Sequence, residues 1–357
     1  MKACQIPSSY YPNLIKFCNL KNRRLVLAAR PGDLIKSSDL ALQEVNIPDL
    51  QEGQFLIRVL YLSLAPVMKF YMLDGAGIEQ PLQIGDLMRG RGVGEVIQSR
   101  HPDFQVGDIV QGKCGWQEYV VCDGSPYYMM YKVRQRSLPY STALGVLGMT
   151  GFTSYFGLYE VGQLKKGDRV LVSAAAGGVG SNLGHLARIK GASAIGLAST
   201  DEKCNLLTEK LGYDGAINYL KEDVSERITH YFPEGIDVYF DNVGGEMLDQ
   251  ALLHLRRYAR VVCCGRISQY QDLHSASYAL QNWHKIGATR SRMEGFFIYD
   301  FEPHFPKAEA DLAQWITEGK LQYQEDILEG LENMPIALNR LFERKNVGKQ
   351  LVKIFLD

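Results

Sequence analysis

A glycine-rich turn between an apolar strand and a helix constrains this chain more than any other feature. The segment LVSAAAGGVGSNLGHLARIKG (171–191) begins as an apolar run, passes through small residues and continues at helical spacing from about Val179. Gly177 and Gly180 stand where a dinucleotide-binding loop carries glycines, because one lets the backbone approach a pyrophosphate and the other lets the helix pack against the strand. The N-terminus of the helix then offers N–H groups to phosphates. Ala174 replaces the first glycine of G-x-G-x-x-G, so the pattern is a variant of that motif.

The chain divides into two kinds of pattern. Residues 22–145 hold short runs rich in β-branched and aromatic residues between turn signals such as PGD and VGD, which predicts an irregular all-β unit. From about residue 150, apolar strand-like runs alternate with helical runs, the pattern of βαβ units and a parallel sheet. After about residue 325 the pattern returns to turns and one apolar strand, GKQLVKIFL (348–356). A length of 357 residues also fits two domains of about 150 residues each.

Composition excludes several classes of protein. Lys and Arg total 39 and Asp and Glu total 40, so the basic excess of a dedicated nucleic-acid binder is absent. No apolar run approaches the roughly 18 residues that span a bilayer, and the first residues lack the apolar core of a signal peptide. Seven cysteines do not suggest a disulfide framework, and the adjacent Cys263 and Cys264 are interpreted as small buried residues on opposite sides of a strand. We therefore expect a soluble, cytoplasmic protein that binds neither nucleic acid nor membrane.

The end of the second strand after the glycine-rich loop indicates which dinucleotide binds. Binders of NAD usually carry an Asp or Glu there, about 20 residues after the loop, to hold the ribose 2′-hydroxyl. Here the strand AIGLA ends at Ser199 and Thr200 with no acid at its tip, and Lys203 follows within one helical turn. Two hydroxyls and a lysine suit a 2′-phosphate, which favours NADPH. Asp201 is the opposing signal unless it caps the next helix, and a solvent-exposed lysine is the alternative role for Lys203.

Metal ligands do not converge in the β-rich part of the sequence. A zinc site needs three or four Cys, His or carboxylate side chains that converge. The segment that would carry them offers His101 alone, with Cys114 and Cys122, and the closely spaced cysteines of a zinc lobe are missing. The sequence predicts a protein without a metal site.

Five segments carry a further, more specific pattern: NRRLVLAARPG (22–32), LGVLGMTGFTSYFGLYEVGQLKKGDRVLVSAAAGGVGS (144–181), YFPEGIDVYFDNVGG (231–245), CGRISQY (264–270) and NVGKQLVKI (346–354). They resemble the zinc-independent medium-chain dehydrogenase/reductases, and most closely the branch of NADP-dependent 2-alkenal, curcumin and prostaglandin (leukotriene) reductases. The resemblance implies an α/β fold with a GroES-like, β-rich catalytic domain formed by residues 1–145 and 325–357. It implies that residues 146–324 form an inserted Rossmann domain with a doubly wound parallel sheet, and that the active site lies in the cleft between the two.

The resemblance also assigns cofactor contacts to positions of this chain. It places the pyrophosphate loop at residues 177–180, the 2′-phosphate contacts at Lys203 and Tyr219, and the nicotinamide beside the loop 264–270 and a strand at 296–298. Asn242 would follow the fourth Rossmann strand, although a turn asparagine before two glycines is its alternative role. The predicted cofactor-binding residues are Gly177, Gly178, Val179, Gly180, Lys203, Tyr219, Asn242, Cys264, Gly265, Arg266, Ile267, Ser268, Gln269, Phe296, Phe297, Ile298 and Asn346.

Tyr270 is the predicted catalytic residue. It lies just beyond the strand RVVCCG, on the side where doubly wound folds place their ligands. A phenol with a pKa of about 10 stays protonated at neutral pH and can donate a proton or a hydrogen bond. Ordinary packing is the alternative role, because the chain has 20 tyrosines.

One segment departs from the pattern of the branch. Where its members usually carry Asp-Pro-Tyr-Met-Arg, this chain reads Ala65-Pro66-Val67-Met68-Lys69. The missing tyrosine would face the substrate pocket, and the missing Asp–Arg pair would hold that loop. The departure affects substrate identity and leaves the cofactor assignment unchanged.

The expected function is NADPH-dependent reduction of the C=C bond of α,β-unsaturated aldehydes and ketones. The expected partners are a small electrophilic alkene as substrate and a second copy of the chain in a homodimer. Two alternatives stay open at this point: a quinone reductase on the same fold, and a non-catalytic NADPH-binding sensor or scaffold.

Overall fold

The computed structural model describes residues 20–74, 80–269 and 278–355, and two large sheets organise them. The strands are β1 (Lys21–Leu27), β2 (Leu40–Asn46), β3 (Phe55–Ser63), β4 (Arg91–Ser99), β5 (Ile109–Lys113), β6 (Tyr119–Cys122), β7 (Tyr131–Lys132), β8 (Arg169–Val172), β9 (Ser193–Ala198), β10 (Gly215–Asn218), β11 (Ile236–Asp241), β12 (Leu255–Cys263), β13 (Arg292–Gly295), β14 (Glu325–Glu329) and β15 (Lys349–Lys353). The helices are α1 (Met68–Met72), α2 (Met149–Phe156), α3 (Gly180–Ile189), α4 (Asp201–Glu209), α5 (Val224–Tyr231), α6 (Gly245–Leu252), α7 (His284–Thr289), α8 (Phe305–Thr317) and α9 (Met334–Phe342).

The first large sheet is mostly antiparallel and joins the two ends of the described chain. Its strand order is β14-β15-β3-β4-β5-β7, and β6 pairs with β3. Strand β15 runs antiparallel to β3, so the tail returns to the β-rich part. Phe55, Ile57 and Val59 point from β3 into a core that also contains Trp116 and Leu338 of α9. A separate two-stranded ribbon pairs β1 with β2.

The second sheet is fully parallel, with the strand order β10-β9-β8-β11-β12-β13. Its central strands β8, β9 and β11 are almost entirely buried, because helices cover both faces of the sheet. Val170 and Val172 of β8 face a core with Leu183 of α3, whereas Leu171 faces the opposite core with Ile228 of α5. Successive residues of a strand point to opposite faces, so β8 supplies both cores. This is the Rossmann-like, doubly wound arrangement that the sequence predicts.

Cys263 and Cys264 face opposite sides of the parallel sheet, as predicted, but β12 ends at Cys263 and both residues are only partly buried. Cys263 packs against the core that contains Leu171, and Cys264 packs against the core that contains Val172. Both thiols are free.

The structure corrects two expectations. The tail after residue 325 contains the helix α9 as well as turns and strands; Met334, Leu338 and Leu341 give it a buried face at helical spacing. The expected strand at Phe296–Ile298 is wrong. Strand β13 ends at Gly295, opposite Cys263, where its partner β12 also ends, and residues 298–304 then form a 3₁₀ helix.

No helix within residues 20–74, 80–269 and 278–355 is both long enough and apolar enough to cross a membrane.

Candidate active-site cleft

A cleft of about 830 Å³ lies along the carboxyl ends of the parallel strands. Residues that follow β8, β9, β10, β11 and β12 form one wall, and residues that follow β3 and α9 form the other. Doubly wound folds bind their ligands at this edge of the sheet. Twelve of the predicted cofactor-binding residues line the cleft: Gly177, Gly178, Val179, Gly180, Lys203, Tyr219, Asn242, Cys264, Gly265, Ile267, Ser268 and Asn346.

The glycine-rich loop makes the close approaches that its glycines allow. A Cβ atom at Gly180 would lie 2.4 Å from the carbonyl oxygen of Ala174 and 2.6 Å from the Cα atom of Ala175. Helix α3 can therefore begin against the loop only because position 180 has no side chain. Ala174 has a φ angle of 48°, in the left-handed region that favours glycine. It occupies the first glycine position of the motif in a glycine-like conformation, at a steric cost of about 1 kcal/mol.

The tail of the chain closes onto this loop. Gly348 forms a parallel bridge with Gly177, and its N–H donates to the carbonyl oxygen of Ala176 at 2.7 Å. A Cβ atom at Gly348 would lie 2.1 Å from the carbonyl oxygen of Gln324, so this position requires glycine. The side-chain amide of Asn346 donates to the carbonyl oxygen of Gly348 at 3.0 Å. These contacts place Asn346 beside the loop.

A cationic pocket lies at the end of β9. Lys203 Nζ donates to the carbonyl oxygen of Arg344 at 2.7 Å, and the Arg344 guanidinium lies 5.7 Å from the centre of the Tyr219 ring. Ser199, which is buried, lines the same part of the cleft. The two cations are Lys203 and Arg344, and the two hydroxyls belong to Tyr219 and Ser199. Together these groups suit the 2′-phosphate of a dinucleotide.

The charges around Lys203 favour an added anion. Burial lowers the pKa of the Lys203 ammonium, Arg340 and Arg344 lower it further, and Asp326 opposes them. The Asp326 carboxylate is already paired with Arg340 at 2.6 Å. The cations of this pocket therefore exceed the negative charge available to them.

Asp201 does not take part in this pocket. Its carboxylate accepts from Lys221 Nζ at 2.5 Å and from Asn218 Nδ2 at 2.6 Å, and these bonds lower its pKa. The cap of α4 is Thr200, whose hydroxyl accepts from the N–H of Lys203 at 3.2 Å, so the helix-cap role suggested for Asp201 is wrong. Thr200 has extended backbone angles, which let its side chain reach the helix, whereas Asp201 is already the first helical residue.

The turn after β11 is held by a buried carboxylate. Asp241 accepts hydrogen bonds from Ser173 Oγ at 3.0 Å, from Tyr239 Oη at 2.9 Å and from the N–H of Gly244 at 3.0 Å. Burial raises the pKa of this carboxyl, and the backbone donors oppose that effect. Asn242 donates through Nδ2 to the carbonyl oxygen of Ser173 at 2.8 Å and also lines the cleft. Asn242 is therefore both a turn residue and a cleft residue.

The segment after β12 is hydrogen-bonded to the turn after β11. The N–H of Cys264 donates to the carbonyl oxygen of Asp241 at 2.9 Å, and Ser268 Oγ donates to the carbonyl oxygen of Val243 at 2.6 Å. Burial raises the pKa of the Cys264 thiol to about 12, so the thiol is neutral at physiological pH. Tyr270 lies outside the described residues.

Five predicted cofactor-binding residues do not line the cleft. They are Arg266, Gln269, Phe296, Phe297 and Ile298. The Arg266 guanidinium lies 5.8 Å from the centre of the Phe70 ring, Phe296 packs in the core beside Phe301, and Phe297 is 44% exposed. Their contacts with a cofactor stay a prediction.

The segment that departs from the branch pattern forms part of the opposite wall. Ala65 and Val67 line the cleft, so two small apolar residues stand where Asp and Tyr are expected. Lys69 is fully buried; its Nζ atom donates to the carbonyl oxygen of Asp33 at 2.6 Å and lies 5.3 Å from the centre of the Phe342 ring. The lysine thus holds this loop against α9 by contacts that need no Asp–Arg pair.

The candidate metal ligands are dispersed or engaged elsewhere. His101 packs edge-on against Phe55 with ring centres 5.5 Å apart, and its Nδ1 atom accepts from the N–H of Asp103 at 3.0 Å. Burial raises the pKa of Cys114 to about 12 and that of Cys122 to about 11. In the described part of the chain, no three His, Cys, Asp or Glu side chains come together to hold a metal ion.

Among the cleft residues that were not predicted from the sequence are Thr150, Arg344 and Lys349. Arg344 and Lys349 lie within three residues of Asn346, so the tail motif carried a signal for them. Their position in the cleft depends on the bridge between Gly177 and Gly348, which no local pattern encodes.

Comparison with known proteins agrees with the fold. Two family models match the chain, one described as the N-terminal domain of oxidoreductase over residues 23–130 and one described as zinc-binding dehydrogenase over residues 178–316. The NADP(+)-dependent 2-alkenal reductase of Nicotiana tabacum is 38% identical over 94% of this chain and 98% of its own length. The NADPH-dependent curcumin reductase of Escherichia coli is 38% identical over 94% of this chain and 98% of its own length.

The chain is also similar to a prostaglandin reductase and to a protein whose crystal structure contains NADPH. Prostaglandin reductase 1 of Bos taurus is 38% identical over 89% of this chain and 94% of its own length. The crystal structure of CurA from Vibrio vulnificus in complex with NADPH superposes with a TM-score of 0.87; it is 37% identical and covers 94% of this chain and 100% of CurA.

Proposed function

Because this chain belongs to the medium-chain dehydrogenase/reductase family, in the branch of the NADP-dependent 2-alkenal, curcumin and prostaglandin reductases, we propose that it reduces the C=C bond of α,β-unsaturated aldehydes and ketones. The chain is an NADPH-dependent oxidoreductase of this branch. The substrate class and the reaction at the alkene are the proposal.

The observation that carries the proposal is the cationic pocket at one end of an apolar cleft. Lys203, Arg344 and Tyr219 suit the 2′-phosphate of NADPH, and the glycine-rich loop presents backbone N–H groups for its pyrophosphate. Asp201, the first carboxylate after β9, is paired with Lys221 and accepts a hydrogen bond from Asn218. The residues present therefore fit NADPH better than NADH.

The other walls of the cleft suit an uncharged organic substrate. Ala65, Pro66, Val67, Met149 and Ile267 supply apolar surface to the cleft. An apolar pocket with few polar groups is typical of sites for small organic ligands. A conjugated alkene with one polar carbonyl oxygen matches this distribution.

When bound, NADPH supplies a hydride, which is added to the β-carbon of the conjugated alkene. The developing negative charge delocalises onto the carbonyl oxygen, so a hydrogen-bond donor at that oxygen stabilises it. A proton added at the α-carbon completes the reduction. We propose Tyr270 as the hydrogen-bond donor to that oxygen, because it lies two residues after Ser268, which lines the cleft together with Ile267.

Packing supports the domain division that accompanies this function. Ala143 and Leu144 pack with Val93 of the antiparallel sheet, whereas Val146 packs in the core of the parallel sheet. We propose that residues 1–145 and 325–357 form the catalytic domain, that residues 146–324 form the NADPH-binding domain, and that two chains form a homodimer.

Product analysis with C4-deuterated NADPH and an α,β-unsaturated ketone tests the proposed reaction. We expect a saturated ketone that carries deuterium at the β-carbon. An allylic alcohol with deuterium at the former carbonyl carbon would instead identify a carbonyl reductase. Turnover of quinones alone, or binding of NADPH with no oxidation by any acceptor, would also contradict the proposal.

A further inference from the structure

The side chain of Lys349 lines the cleft and extends from the glycine-rich loop to Leu64. Its backbone follows Gly348, which is bridged to the glycine-rich loop, and its Cδ atom lies 3.3 Å from the position of a Cβ at Gly178. At the far end Nζ donates to the carbonyl oxygen of Leu64 at 2.5 Å. Only 6% of the residue is exposed. The buried Lys349 side chain thus extends from the glycine-rich loop to Leu64, the residue before Ala65.

This ammonium has more donor capacity than the described residues use. A lysine has three N–H donors, and the bond to Leu64 is the only hydrogen bond that Lys349 Nζ makes to residues 20–74, 80–269 and 278–355. Glu325 on β14 is the one charged group among those residues that acts on its pKa, and no carboxylate there lies within ion-pair distance. A buried charge with unused donors is unfavourable unless another partner binds it.

Thr150 offers a second buried donor at the same place. Its hydroxyl is buried and has no hydrogen-bond partner among the described residues, and the residue lines the cleft. Its Cγ2 atom lies 3.4 Å from the Cβ position at Gly178, the same point that Lys349 approaches. Two donors without sufficient partners therefore flank one residue of the glycine-rich loop.

We propose that Lys349 and Thr150 form an oxyanion-binding pair beside Gly178, which binds a negatively charged oxygen of the complex with NADPH and substrate. The inference rests on the proposed function and names two further residues for it. Two sources supply such an oxygen: the pyrophosphate of NADPH and the carbonyl oxygen of the substrate, which becomes anionic during reduction.

The protonation state of Lys349 can report whether an anion binds to this side chain. Burial lowers its pKa to about 8, and Glu325 opposes that shift. Leu64, whose carbonyl oxygen accepts from Nζ, and Gly178, beside the Cδ atom, do not titrate. Glu246, Lys203 and Arg344 line the same cleft without acting detectably on its pKa. An anion bound at Lys349 raises the pKa, so a neutral lysine takes up a proton when the anion binds.

Isothermal titration of the full chain with NADPH at about pH 9, in two buffers of different ionisation enthalpy, measures this uptake. With a pKa of about 8, roughly nine in ten Lys349 side chains are neutral at that pH. If the oxygen belongs to the pyrophosphate, the wild-type protein takes up close to one proton more than Lys349→Met, which binds NADPH roughly 10- to 100-fold more weakly. Lys349→Arg keeps a permanent charge, so it retains affinity and loses the proton uptake.

If the oxygen belongs to the substrate, the NADPH titrations of wild type and Lys349→Met coincide. In that case kcat at saturating NADPH falls at least about 10-fold in Lys349→Met, and the decline of kcat above about pH 8 disappears. Both results support the pair and separate its two sources. Unchanged NADPH binding together with an unchanged kcat and pH profile overturns the proposal.

Thr150→Val keeps the test decisive if Lys349→Met does not fold. Valine has the shape of threonine, and this change removes a hydroxyl that has no protein partner in the described structure. We expect about a 5- to 10-fold loss in NADPH affinity or in kcat, and no change in either contradicts the proposal. The NADPH titration needs no substrate, so Lys349-dependent proton uptake stands even if no enone is reduced.

Discussion

Lys203 Nζ donates a hydrogen bond to the carbonyl oxygen of Arg344 at 2.7 Å, and this contact joins α4 to the segment that follows α9. The two residues are 141 positions apart in the sequence, and together they form the cationic end of the cleft. Recognition of the 2′-phosphate is therefore divided between the parallel sheet and the tail. Each part can be tested separately.

Lys203→Ala is expected to weaken NADPH binding by roughly 10- to 150-fold, because a charge-assisted hydrogen bond contributes about 1.5–3 kcal/mol. NADH lacks the 2′-phosphate, so its affinity is expected to change little. Fluorescence titration of both cofactors measures the two effects. Lys221→Ala is the matched control, since Lys221 pairs with Asp201 outside the cleft. Equal losses for both cofactors in Lys203→Ala would disprove the assignment.

Arg344→Asn is expected to lower NADPH affinity by roughly 10-fold with little effect on NADH. Arg344 has a φ angle of 59°, and asparagine tolerates this left-handed conformation better than alanine. Arg290→Asn is a close control, because Arg290 has a φ angle of 54° and its guanidinium lies 5.7 Å from the ring of Tyr258, away from the cleft. If both variants lose NADPH affinity equally, the loss arises from the backbone and not from the phosphate contact.

The Arg344 contact also shows where prediction from sequence ends. The loop 177–180 and the strands β8 to β11 could be predicted, because a glycine spacing and short apolar runs are local patterns, whereas β13 has no apolar run and its predicted position is wrong. The positions of Arg344 and Lys349 could not, since they depend on the bridge between Gly177 and Gly348 across the two ends of the fold. The choice of Thr200 over Asp201 as helix cap depends on the residue at which β9 ends. Adjacent candidates of similar capping strength leave that point open in the sequence.

Ala174→Gly is expected to stabilise the protein by about 1 kcal/mol, because it removes a left-handed alanine from the loop. That change raises Tm by about 2–4 °C in a domain of this size, measured by differential scanning calorimetry. Ala175→Gly is the control in the same loop: Ala175 is fully buried without a positive φ angle, so its loss is expected to lower Tm. A lower Tm in Ala174→Gly would show that the loop does not store this strain.

Activity is expected to need no metal ion. Within the described ranges, His101, Cys114 and Cys122 do not converge with any further ligand. Dialysis against a strong chelator is therefore expected to leave both kcat and Tm unchanged, with no stoichiometric zinc by elemental analysis. One tightly bound zinc per chain would contradict this prediction and would require ligands from residues 1–19, 75–79, 270–277 or 356–357.

Tyr270→Phe is expected to lower kcat by about 100-fold and to leave NADPH affinity nearly unchanged. Removal of one positioned donor to a developing oxyanion costs about 3 kcal/mol at the barrier, whereas NADPH binding is expected to depend on Lys203, Arg344 and the glycine-rich loop. The chain supplies a matched control in Tyr278→Phe, since the Tyr278 hydroxyl bonds to Asp249 Oδ2 at 3.2 Å and neither residue lines the cleft. Steady-state kinetics with an α,β-unsaturated ketone at saturating NADPH compare the two variants. A Tyr270→Phe enzyme with wild-type kcat would assign proton delivery to another group, and a parallel loss in Tyr278→Phe would show that the effect comes from the surrounding segment and not from the Tyr270 hydroxyl.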